Sequence, residues 1–100
     1  MGATRIPAGG PVGSADEVAA ELRASGLEPR TWGNALGDVY GSHEHSYHKR
    51  LVCVRGSITF HTPAGDVELT AGDRLELEPH TPHGATVGPG GVTCVEAPVR

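Results

Sequence analysis

Residues 37–56 concentrate the groups that do chemistry. His43, His45 and His48 fall within six positions, and Lys49, the only lysine of the chain, follows directly. Side chains of a strand alternate between faces, so His43 and His45 point the same way. Tyr47, Lys49, Leu51 and Cys53 share that parity, and Glu44 and His48 take the other. Two imidazoles from one strand face supply two ligands to a divalent metal, and a third must come from elsewhere. Lys49 and Tyr47 are the candidate catalytic side chains on the same face.

A second stretch, Gly72 to His83, runs from a Gly-Asp turn through Leu75 and Leu77 to a corner containing Pro79 and Pro82, then to a histidine. Together the two stretches resemble the cupin superfamily. The first motif of that family starts at a glycine, reaches His-x-His after five residues, has Glu four positions on and closes at a glycine. Gly37, His43, His45 and Gly56 match this register, and Lys49 stands where the Glu belongs. In the second motif Gly72 and His83 match, but Glu78 precedes the proline, His80 replaces the turn glycine and Val87 an Asn. The resemblance implies that His43, His45 and His83 converge as metal ligands, with Lys49 entering from the facing sheet. It also implies that Cys53 and Cys94 are neighbours.

Lys49 conflicts with such a centre. A +1 ammonium about 5 Å from a +2 ion is repelled by roughly 6–7 kcal/mol at an effective dielectric of ~20. Three arrangements relieve this: Lys49 snorkels to solvent, lies neutral inside, or meets an anion bound between the two charges. His48, by parity, belongs to the surface, His80 to a turn, and His61 carries no signal. Trp32, Tyr40 and Phe60 read as core. Glu76 and Glu78 read as outward-facing, with a fourth-ligand role for either as the alternative.

The elements that must position these groups are short strands. A 100-residue chain holds one modest core, and Gly 15 with Pro 8 favours many strands and turns over a helical bundle. Residues 1–13 read as a flexible arm, or as an extended segment that orders against another surface. Ser14 to Glu17 is a capping box opening a helix over 14–26, with Ala15, Val18, Ala19 and Leu22 on one stripe and Gly26 as terminator. Residues 27–100 read as the cupin domain, with strands near 29–34, 38–44, 48–55, 57–62, 66–70, 73–78, 82–88 and 91–97. The expected fold is all-β: a small jelly-roll β-barrel of about eight strands with one short N-terminal α-helix. Leu51 to Val54 is apolar on both faces, so its outer face needs cover from the helix or from a second subunit, which suggests a homodimer.

Composition excludes several classes. The net charge is −4 and no basic stripe exists, which argues against nucleic-acid binding. No apolar run approaches 18 residues, so no membrane span is expected. The absence of a signal pattern and the wide spacing of the two cysteines suggest a cytoplasmic protein with reduced thiols. The functional expectation is a centre holding a divalent transition metal (Fe, Mn, Ni or Zn) on three histidines, acting on or binding a small polar or anionic molecule. If it is an enzyme, the resemblance implies a metal-dependent oxygenase or isomerase. Two alternatives stand beside it: a metal-free binding module with Lys49 as anion partner, and a metal-independent isomerase or epimerase pairing His45 or His83 with Tyr47.

Overall fold

The computed structural model describes residues 2–34 and 37–99, so the connection between the strands expected near 29–34 and 38–44 lies partly outside the described residues. The element order is β1 (Ala3–Ile6), α1 (Ala15–Ala24), β2 (Arg30–Asn34), β3 (Val39–His43), β4 (His48–Thr62), β5 (Gly65–Thr70), β6 (Arg74–Leu77) and β7 (His83–Val99). The axis is the antiparallel pair of the two long strands, β4 and β7. On its other side β4 pairs with β6 through residues 49–52 and with β5 through 57–62. The free side of β7 takes β3 at His83 to Thr86 and β2 at Val92 to Glu96. β1 continues the sheet beyond β6.

This corrects the expected eight-stranded barrel. The seven strands form one sheet in the order β1-β6-β4-β7-β2, with β3 and β5 as side branches, and β1 and β2 end it without pairing to each other. The sheet is open. The expected breaks at Gly56 and at Gly88 to Gly91 are bulges inside continuous strands, and this lowers the strand count. Gly56↔Val92 and Ile58↔Val87 are successive pairs, so residues 88–91 of β7 face Ser57 alone. Gly56 has φ 80°, and a Cβ there would lie 2.0 Å from the Gly91 carbonyl oxygen, so only glycine fits this bend.

Bending brings both halves of the central pair into one core. Leu51, Cys53, Leu75, Leu77 and Cys94 from one half pack with Ile58, Phe60, Leu69, Ala85 and Val87 from the other. Cys53 and Cys94 are directly paired across the strands as buried free thiols, as the resemblance implied.

The opposite face of the sheet carries α1. Ser14 and Glu17 form the expected capping box, with the Glu17 N–H donating to Ser14 Oγ and the Ser14 N–H to Glu17 Oε1. At the C-terminus Leu27 N–H donates to Leu22 O and Gly26 N–H to Arg23 O, a Schellman closure with Gly26 at φ 86°. Val18, Leu22 and Leu27 bury Val52, Val95 and Ala97. At roughly 2 kcal/mol for each large apolar side chain, this contact holds α1 to the sheet. The outer face of the 51–54 run is therefore covered within the chain and no longer asks for a second subunit. No helix among the described residues is long and apolar enough to cross a membrane.

Residues 2–8 are tied down by Asp73. Its carboxylate, almost fully buried, accepts from Arg5 Nη2 (3.1 Å), from the Ala8 N–H (3.0 Å) and from the Thr70 N–H (2.9 Å). Gly72, at φ 92°, lets the arm come close, since a Cβ there would meet Ala8 Cβ at 2.7 Å. Burial alone would raise the Asp73 pKa, but the Thr70 and Ala8 N–H groups and the Arg5 guanidinium together hold it below the ordinary value. A carboxyl with a depressed folded pKa contributes stability that is whole above its unfolded value near 3.9 and is lost as pH falls through the folded one. Asp73→Asn should thus cost about 2 kcal/mol at pH 7. In urea unfolding the gap from the parent should narrow as pH is taken below about 4; a pH-independent gap would rule out the charge as its source.

Candidate metal centre

Three elements bring the histidines together. His43 ends β3 and His83 opens β7, and they are direct cross-strand partners. His45 lies just past β3, outside regular structure, and is held through its backbone: the His80 N–H donates to the His45 carbonyl at 2.6 Å. His80, at the position where the resembled motif has glycine, is the one non-glycine with positive φ among the described residues (61°). The 78–82 corner therefore seats two of the three histidines, His45 through His80 and His83 through Thr81.

Ring nitrogens of His43, His45 and His83 all lie within 4.8 Å of one another. Two nitrogens bonded to one ion at about 2.1 Å are at most ~4.2 Å apart, so small side-chain rotations close the set around an ion. Ring centroids are 4.4 Å apart for His43–His83, 5.0 Å for His43–His45 and 5.3 Å for His45–His83. A three-histidine cluster capable of coordinating a divalent transition metal is thus present inside the fold.

Hydrogen bonding fixes two of the tautomers. His83 Nδ1 lies 2.9 Å from the Thr81 carbonyl oxygen and His43 Nδ1 3.0 Å from that of Gly41. A carbonyl only accepts, so both Nδ1 atoms carry the proton and donate it, leaving Nε2 with a free lone pair in the neutral ring. This is the outer-shell arrangement that orients ligating imidazoles. His45 Nε2 and His83 Nε2 are buried without a hydrogen-bond partner. Each orphaned atom costs about 1–3 kcal/mol unless something binds there. Burial, with the neighbouring Lys49 and His43 charges, lowers the His45 pKa; burial chiefly lowers that of His83. Both are therefore neutral at pH 7, as ligation requires.

Lys49 points inward, as its parity indicated, and is buried at 7% exposure. It does not snorkel to solvent, and it has a partner within the chain that the sequence did not point to. Its Nζ donates to Glu96 Oε1 at 3.3 Å, and Trp32 Nε1 donates to the same oxygen at 2.7 Å. Glu96 escaped the sequence reading, although it is the sole acidic residue of its strand and shares parity with inward Cys94. Lys49, Glu96 and the histidines line one cavity of about 350 Å³, with Arg30, Asn34 and the rings of Trp32, Tyr40 and Phe60.

The remaining candidates lie outside the cluster. Tyr47 is 40% exposed and stacks on the His45 ring at 5.0 Å. His48 and Arg50 share Glu76 on the outer face, which removes Glu76 as a fourth ligand. Glu78 Oε1 accepts from the Gly2 N–H. His61 joins Asp66 to Thr86, and His80 Nδ1 meets Glu44. Trp32 and Tyr40, read as core, pack against the core and also form the cavity wall.

No family model matches the chain, and no curated protein matches it. Solved structures do. A cupin superfamily protein from Desulfitobacterium hafniense superposes with a TM-score of 0.66 at 15% identity, over 73% of this chain and 66% of that one. A protein with a double-stranded β-helix domain from Klebsiella pneumoniae gives 0.64 at 24%, over 73% and 62%. An RmlC-like cupin from Shewanella frigidimarina gives 0.63 at 26%, over 74% and 68%. The chain spans less than two thirds of the first two proteins, and what it shares with them is a fold.

The Lys49–Glu96 pair is testable apart from any metal. Removing one partner of a mostly buried pair strands the other charge, at a cost of about 3 kcal/mol or more. Glu96→Gln should lower stability by that order. Adding Lys49→Met should restore most of it, because the substituted amide still accepts from Trp32 through its carbonyl oxygen. Additive losses in the double variant would show that the two charges do not compensate each other.

Proposed function

We propose that this chain, which has the cupin-superfamily fold of jelly-roll type, is a cupin that holds one divalent transition metal on His43, His45 and His83 and presents it to a small molecule in the adjoining cavity. The observation that carries this reading is the pair of buried, unpartnered Nε2 atoms of His45 and His83, set among three convergent imidazoles. In a polar pocket without an ion these atoms would find hydrogen bonds. Lys49 stands, in this reading, where the first cupin motif has Glu, and Glu96 from the neighbouring strand supplies the negative charge in its place. The ammonium that would oppose the ion is thereby neutralised, and its repulsion is offset at comparable magnitude.

A bound metal would supply Lewis acidity, with positions left open beyond three nitrogens. The chain's own residues do the rest. Thr81 and Gly41 carbonyls orient His83 and His43, Trp32 and Lys49 hold the Glu96 carboxylate, and Phe60 and Ala85 limit water. Imidazole ligands do not choose among Fe, Mn, Ni and Zn. The reading of Lys49 as a free anion partner loses support, since Glu96 engages it. Tyr47, set on the exposed side of His45, is a weaker proton donor candidate than an inward tyrosine would be.

The deciding experiment loads untagged protein with each of the four metals, then measures metal content and thermal unfolding. About one ion per chain is expected from at least one metal. At a hundredfold excess over Kd the ion should add about 2.7 kcal/mol, on the order of 10 °C in Tm for a domain this size. His83→Ala should abolish both effects. No stoichiometric metal and no shift with any of the four would refute the centre.

A further inference from the structure

The cavity has a second polar end that the metal centre does not use. Residues of β2 alternate in their direction, and Arg30, Trp32 and Asn34 share the face that lines the cavity. Arg30 sits at the exposed rim, with its Cα paired to that of Glu96 across the β2–β7 ladder. Its neighbours cancel: Lys49 and Glu96 form an ion pair, and the three imidazoles are neutral when they ligate. Among the described residues, Arg30 is the one cavity-lining charge without a counter-ion.

Between this guanidinium and the histidines the wall is mainly aromatic and small. Trp32 and Tyr40 meet edge to face with centroids 6.1 Å apart, and Phe60 and Ala85 continue the surface inward. The volume, about 350 Å³, lies in the range of small-molecule sites. A planar guanidinium matches a carboxylate through two parallel hydrogen bonds. A dianion such as a phosphate monoester fits less well, because a single free arginine would leave its second charge facing Glu96.

We propose that this cavity binds a small carboxylate with an apolar body, its acid group held by Arg30 at the rim and its body lying on Trp32, Tyr40 and Phe60 toward the histidines. The assignment rests on the metal-centre reading for what the inner end of the ligand meets; the role of Arg30 is separable from it. Trp32 is the only tryptophan of the chain, so its fluorescence reports this wall alone.

The test titrates cobalt(II)-loaded protein with phenylacetate and hexanoate, and with the corresponding amides, following Trp32 emission and the visible cobalt band. The acids should bind at least tenfold more tightly than their amides. Arg30→Gln should erase that preference while leaving the cobalt band of the unliganded protein unchanged. Three results overturn the proposal: no saturable change with either acid, equal affinity for acid and amide, or a preference that survives in Arg30→Gln and so belongs to the metal. If cobalt gives no band, the metal reading is decided by the loading with the four metals above, and the carboxylate assignment is tested without a metal. The same acid and amide pairs on metal-free protein then decide: a preference erased by Arg30→Gln supports the assignment, and its absence overturns it.

Discussion

The antiparallel pairing of β4 with β7, bent where Gly56 meets Gly91, is the constraint on which the other features depend. Each of these strands is long enough to serve both halves of the sheet, so the bend turns one ladder into two facing surfaces with a shared core. It also sets the beginning of β7 beside the end of β3, which makes His83 the cross-strand neighbour of His43. A side chain at position 56 would collide with the Gly91 backbone, so the bend depends on a missing Cβ more than on an attractive contact. The outer surface of the same pair is closed by α1 through Val52, Val95 and Ala97.

Charge inside the cavity is managed by pairing. A buried lysine near a dication is costly, and the fold answers it with a carboxylate from the adjacent strand, itself held by an indole N–H. Such a pair contributes little net stability, because desolvation consumes most of the attraction. Its consequence is local: it removes a repulsion that would otherwise oppose a metal, and among the described residues it leaves Arg30 as the single uncompensated charge lining the cavity. The imidazoles are prepared in a similar way, by carbonyls that accept their Nδ1 protons and leave Nε2 facing the centre.

The corner at 78–82 and the arm at residues 2–8 show two further uses of buried polar contacts. His80 accepts a left-handed backbone to reach the His45 carbonyl, and Asp73 gathers Arg5, Ala8 and Thr70 around one carboxylate. The first seats a histidine of the cluster that no strand supports. The second fastens β1 to the edge of the sheet beside β6. The first replaces regular pairing where the chain leaves the ladder, and the second reinforces the β1–β6 pairing and extends it to Ala8.

Much was legible from residue order alone. The capping box and Gly26 bounded the helix, period-two parity turned Lys49, Leu51 and Cys53 inward, and the motif positions of His43, His45 and His83 marked the three histidines that cluster. These are local or motif-borne signals, and a strand carries its parity wherever it packs. What only the tertiary structure decided was non-local. The expected strands broke at Gly56 and around Gly88 to Gly91, because a glycine permits a reversal and a bulge equally well, and pairing alone chooses between them. Closure into a barrel was expected, but the hydrogen bonds leave β1 and β2 as separate ends. Glu96 became the partner of Lys49, although 47 positions separate them, through strand register. Arg30 gained its place at the cavity rim in the same way, since a one-residue slip of β2 would have turned it outward.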